Sequence, residues 1–344
     1  TGAFDTAFPS RQTEGLDRYA FADLQWQHAI DAAQQVFARA TLAQYDFRGA
    51  FDYGPADGVQ HLDQRGRWID VEARWQVGAW RSHQLMLGSE VQSNFLQRQR
   101  SRLDGPAGGE LADIDTTSQR WGLFVTDEVE VFTNLRAVLG ARLDRQLDGE
   151  RTATPRVALL WQAAPGLMLK YLDGRAYREP NAYEAQYQDS FALANPMLRS
   201  ETLRTREVAL DWRAQPNLRL AASLYRYKVA DLIEQQLDAD SGLLVFNNVS
   251  AAKAQGLELE ADYAGSAGWR LRGSWAGQRA RSLADDTTLG NSPRSLTKLF
   301  LSLPLWHTRG GLEWQRVGER LTVAGARLPG HAVTNLTLQL VPPG

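Results

Sequence analysis

The chain has 344 residues, a formal net charge of −2, no cysteine, and eleven Trp, ten Tyr and twelve Phe. That balance excludes nucleic acid as a partner, which calls for a basic surplus, and it excludes disulfide frameworks and thiolate metal sites. No window approaches about eighteen consecutive apolar residues, so no transmembrane helix is expected; a mean hydropathy of −0.40 still suits a membrane barrel whose strands show lipid only one face.

Alternation of apolar and polar residues between Gly, Pro, Asn and Asp boundaries predicts strands in chain order over residues 19–29, 36–47, 67–79, 84–96, 121–131, 135–144, 155–161, 167–178, 207–213, 218–229, 244–254, 256–263, 269–280, 296–303, 312–317 and 334–341. Taking 244–263 as one long strand leaves about fifteen. Successive strand side chains face opposite sides of a sheet. Ile69, Val71, Ala73, Trp75 and Val77 therefore oppose Asp70, Glu72, Arg74 and Gln76, and Val208, Leu210 and Trp212 oppose Glu207, Ala209, Asp211 and Arg213. Leu257, Leu259, Ala261 and Tyr263 oppose Glu258, Glu260 and Asp262 in the same way. One aliphatic face and one charged face, repeated along the chain, predict lipid outside and water inside.

The links are sorted by length. Short ones fall at 31–34, 80–83, 132–134, 162–166, 214–217 and 265–268, and long polar ones at 48–66, 97–117, 146–154, 179–201, 237–242 and 281–294. Alternating short and long links are the mark of an outer-membrane barrel with tight turns at one rim and long loops at the other. On this reading residues 1–16 end a long loop and 341–344 enter a short turn, so both end strands run toward the periplasm. An odd strand count follows, and with it the expectation that the sequence is an excerpt of a longer chain. An open sheet edge is not tolerated in hydrocarbon.

LKYLDGRAYREPNAYE (169–184) followed by NPMLRSET (195–202) resembles the paired boxes of the TonB-dependent outer-membrane receptors, which read like YG-R-A-F-R-A-P and NP-x-L-K-P-E-T. WGLFVTDE (121–128), LRLAASLYRYKVADLI (218–233) and NNVSAAKAQGLELE (247–260) extend the resemblance, in order, over nearly the whole chain. Glu179 and Ser200 depart from the family's usual Ala and Pro. The resemblance implies an all-β fold, a transmembrane antiparallel β-barrel in which these fifteen or so strands belong to a 22-stranded barrel with its plug domain outside this sequence. Residues 1–344 would then be the middle and later part of the barrel domain. It further implies a monomer in the outer membrane of a Gram-negative cell and energy supplied by the TonB protein through the plug. The cargo would be a scarce nutrient, a ferric siderophore first and cobalamin or another metal complex next. Neither a resident cofactor nor enzyme chemistry is expected. The rivals are a passive diffusion pore and a soluble all-β binding protein.

Under that resemblance the loop between the two boxes is the candidate ligand contact, through Arg178, Glu179, Tyr183, Tyr187, Gln188 and Phe191. Aromatics settled at the membrane interface are the alternative reading. Arg98, Arg100 and Arg102 read as a second, basic loop that meets phosphates of lipopolysaccharide in preference to an anionic ligand. His28, His61, His83, His307 and His331 lack ligand spacing, which disfavours a protein-built metal site; the resemblance disfavours haem, because no His lies between the two boxes. The charges along the strands, Asp144 and Glu207 among them, are best explained as a hydrated wall of mutually paired groups.

Overall fold

In the computed structural model, residues 6–7, 10–80, 82–105, 108–146, 149, 151–189, 192–322 and 325–340 are described. The alternating segments form β1 (Glu14–Ala29), β2 (Gln34–Asp52), β3 (Val59–Trp80), β4 (His83–Asp104), β5 (Gly109–Phe132), β6 (Leu135–Gln146), β7 (Arg151–Ala164) and β8 (Leu167–Arg178). A short helix α1 (Ala182–Gln186) and β9 (Ala192–Leu193) follow, then β10 (Glu201–Gln215), β11 (Leu218–Leu237), β12 (Leu244–Ala264), β13 (Arg270–Ser282), β14 (Ser295–Leu305) and β15 (Thr308–Val317). β16 (Arg320–Leu321), β17 (Arg327–Leu328) and β18 (His331–Leu340) complete the order. β1 to β8, β10 to β15 and β18 lie side by side as fifteen antiparallel neighbours in one sheet, while β9 adds to β12 in parallel and β16 pairs only with β17. The all-β expectation, the strand count and the single long strand over 244–263 all hold.

Apolar side chains are on the outside. Among the described residues the buried apolar ones are six alanines and Tyr187, whereas Ile69, Val71, Trp75, Val208, Trp212, Leu224, Leu257, Leu259 and Trp275 are exposed. The chain exposes 22314 Å², against roughly 14,000 Å² for a compact soluble chain of this mass. The described residues build no interior core that could hold a soluble sandwich together, so that rival fails; the aliphatic face needs lipid. Among the described residues no helix is long and apolar enough to cross a membrane.

Turns at one rim are tight. β7 reaches β8 through Pro165-Gly166, where Gly166 has φ +76°, and a Cβ there would sit 2.8 Å from the Arg213 carbonyl oxygen. The other rim differs from expectation. The predicted long links 48–66 and 97–117 shrink to connectors at 53–58 and 105–108, because β2 to β5 continue as paired strands of 19 to 24 residues. A tilted strand needs only about 9–11 residues to cross. Above the lipid both faces meet water, so apolar alternation stops while backbone pairing continues, and a sequence pattern cannot see the strand there. The longest outer connector remains the one between β8 and β10, as expected.

Candidate functional site

The connector from Glu179 to Ser200 is built around α1. Asn181 caps it reciprocally: its side-chain oxygen accepts from the Glu184 N–H and its own N–H donates to the Glu184 carboxylate, both at 2.9 Å. Arg178 then donates to Glu184 at 2.8 Å and in bidentate fashion to Glu201 at 2.7 and 2.9 Å, tying the helix to the ends of β8 and β10. Glu201 also accepts from the Ile233 N–H of β11 at 2.9 Å. Glu179 accepts from Gln146 at 2.8 Å, at the outer end of β6.

Beyond α1 the chain turns over the charged face of the sheet. Tyr187 is 7% exposed; its hydroxyl donates to Asp189 at 2.7 Å and meets Ser101 on β4, four strands along the sheet from β8. Four strand spacings are roughly 19 Å, so the loop spans the charged face and marks it as the inner, concave one. Burial first, and the hydrogen bond and charge of Asp189 after it, push the Tyr187 phenol well above the ordinary tyrosine range; burial does the same to Tyr183. Tyr183 packs against Tyr187 with tilted rings 4.8 Å apart and meets Phe246 of β12 edge-on at 5.8 Å. β9 adds a parallel pair to Leu244 and Val245, and the Asn195 side chain donates to the Phe246 carbonyl at 2.9 Å and to Asn247 at 3.0 Å. Asn248 accepts from the Arg199 N–H at 2.8 Å and donates to its carbonyl at 2.9 Å. The second box, NPMLRSET, and the start of the 247–260 match, NNVS, are thus halves of one clasp.

Of the predicted loop residues, Arg178, Glu179, Tyr183 and Tyr187 converge at this inner mouth, with Gln188 exposed beside them; Phe191 lies outside the described residues. Arg178 spends its guanidinium on two carboxylates, and Tyr187 is packed away, so Tyr183 and Gln188 present the open surface. Sequence reading missed Phe246, Ser101 and Gln99. Gln99, two residues before Ser101 on the same face of β4, is 7% exposed, and its side-chain carbonyl has no hydrogen-bond partner among the described residues.

Arg98, Arg100 and Arg102 are on β4 and not in a loop. They point to the outer face, where Asp113 meets Arg100 at 2.9 Å and Arg98 at 3.6 Å, and Asp104 meets Arg102 at 3.1 Å. The inner wall is charged and paired. Arg142 joins Asp144 at 2.6 Å and Glu90 at 2.9 Å, Arg74 joins Glu72 at 2.9 Å, and Arg219 joins Asp211 at 2.7 Å.

The family model of the TonB dependent receptor-like β-barrel matches residues 2–341. The chain belongs to that family. Solved structures resemble this receptor barrel over nearly all its length at low identity. The copper transporter OprC matches with a TM-score of 0.80 at 16% identity, over 97% of this chain and 59% of that one. The ferric-catecholate import receptor Fiu of Escherichia coli K12 gives 0.74 at 12%, over 96% and 58%. The ferric citrate transporter FecA gives 0.77 at 13%, over 95% and 54%. The receptor barrel thus spans between half and three-fifths of the length of these proteins. No curated protein matches it.

Proposed function

We propose that residues 1–344 form the middle and later wall of an energised outer-membrane receptor that captures a metal chelate, a ferric siderophore first, and passes it inward. Copper, ferric-catecholate and ferric citrate uptake among the structural neighbours support a chelate as cargo, with cobalamin as the next choice. The observation that carries the reading is the inward-folded loop. Tyr183, backed by Tyr187 and Phe246, stands over the concave face, where a ligand arriving from outside would meet its ring with Gln188 beside it. Energy would come from TonB acting on a plug that fills the lumen, and the protein would work as a monomer. The receptor performs capture and release without bond chemistry, biased by a pull on the plug. Contact with lipopolysaccharide belongs to the same reading.

Binding of a panel of ferric siderophores to the intact receptor tests it. Replacing both Tyr183 and Tyr187 with Ala is expected to weaken the best ligand by roughly tenfold or more, at about 0.5–1.5 kcal/mol per aromatic contact beyond buried area. The amount of folded barrel in the membrane should not change. Unaltered affinity in the double variant would remove the loop from the site.

A further inference from the structure

The outer face carries a cationic field that no single stretch of sequence displays. Arg175 of β8 stands opposite Arg204 of β10, Arg204 opposite Lys228 of β11, Lys228 opposite Lys253 of β12, and Lys253 opposite Arg281 of β13. Five cations therefore sit side by side on five neighbouring strands. In the adjacent row on the same face, Arg206 stands opposite Arg226, and Arg279 is two strands further on, with Gln255 of β12 between them. All eight cations are exposed.

Like charges placed directly opposite one another destabilise a sheet. Two carboxylates answer the eight cations: Asp173 holds Arg204 at 3.0 Å and Arg206 at 2.9 Å, and Asp286 holds Arg281 at 2.7 Å and Lys253 at 3.5 Å. Among the described residues Arg175, Arg226, Lys228 and Arg279 form no ion pair. Two hollows share this field. One of about 460 Å³ is lined by Arg175, Arg204 and Lys228, and one of about 970 Å³ by Arg279 and Arg281, with Arg206 and Arg226 common to both.

The chemistry of the occupant follows from what lies next to the field. Toward the tight-turn rim, the next row on the same face is Tyr171, Val208, Leu224 and Leu257, and the row after it is Leu169, Leu210, Ala222 and Leu259. Cations stand directly above the surface that needs lipid. A ligand that satisfies both parts has phosphates at one end and acyl chains at the other, and the field is roughly 19 Å wide, enough for more than one phosphate. We propose that this face holds the phosphorylated headgroup of an acylated outer-leaflet glycolipid, of the lipid A type found in lipopolysaccharide. The assignment rests on the family reading only for which leaflet the long-loop rim meets. It also moves the expected lipopolysaccharide contact away from Arg98, Arg100 and Arg102, each of which already pairs with Asp113 or Asp104.

The test is binding of bisphosphorylated lipid A to the intact receptor in detergent, compared with a variant combining R226Q, K228Q and R279Q. These three residues form no ion pair and two of them face like charges, so the variant's melting point without lipid should not fall below the wild type's. Binding is expected to fall about a hundredfold, from roughly one kcal/mol per cation near an anionic surface. Dephosphorylated lipid A should bind the wild type as poorly as the variant binds the intact lipid, and inorganic phosphate should compete only weakly. A paired R98Q and R100Q variant should bind like the wild type. Equal binding by the triple variant overturns the proposal. So does equal binding of dephosphorylated lipid, full displacement by free phosphate, or loss confined to the β4 variant; the lipid and phosphate comparisons decide the matter even should the triple variant not fold.

Discussion

Asp144 is the most enclosed charge of the inner wall, 1% exposed, and its carboxylate is taken up by the Arg142 guanidinium. Gly122 on the neighbouring strand leaves the space for this pair, since a Cβ there would collide with both side chains. Asp144→Ala leaves Arg142 only Glu90, and the wall should lose about 2–4 kcal/mol, since removing one partner strands the other. Urea unfolding in detergent reads the loss; a change below about 0.5 kcal/mol, the usual scale of a surface substitution, would show the pair to be idle. Tyr187 argues the same way for the loop. Tyr187→Phe removes the hydroxyl's contacts with Asp189 and Ser101 and keeps the ring, at about 0.5–1.5 kcal/mol per hydrogen bond. Protease cleavage between β8 and β10 should accelerate modestly for Phe and strongly for Ala. Equal rates for the two variants would mean that ring burial does not anchor the loop.

At the scale of one strand, period two decides almost everything. β10 and β12 were legible because their aliphatic residues meet lipid and their charged residues meet water, and a one-residue slip would reverse both. The outer halves of β4 and β5 were not legible, since water on both sides erases the pattern. β4 adds a second difficulty. A register shift between Asn94 and Gln97 inserts an extra residue, so the faces exchange above it. Counting upward from Gln84 would put Arg98 inside and Gln99 outside; the structure has the reverse. The loop's residues could be named from its flanking boxes, but not its inward route, because Ser101 and Phe246 are far away in sequence. Depth makes a further prediction at this scale. Leu259→Lys lies deeper in the apolar rows than Val208→Lys, which abuts the cationic field, so it should cost about 2–4 kcal/mol against roughly 0–1 for the shallower site. Equal costs would misplace the membrane boundary. The chain has no cysteine, so single cysteines at 257–260 can be labelled cleanly; residues 257 and 259 should be reached from lipid and 258 and 260 from water.

For the whole molecule, the sheet runs from β1 to β18 and each of these two strands pairs on one side only among the described residues. Neither free edge is tolerable in hydrocarbon. Both faces then have assigned tasks: lipid and anionic headgroups outside, and a charged, paired wall facing the lumen with the aromatic loop above it. What remains central is whether cargo moves through that lumen by energised release or by passive diffusion. The decisive measurement is uptake of a radiolabelled ferric siderophore by cells producing the intact receptor, with and without a functional TonB protein. Energised transport predicts saturable uptake that disappears without TonB while surface binding persists. Uptake that continues unchanged without TonB, rising linearly with concentration, would contradict it and make the protein an open pore.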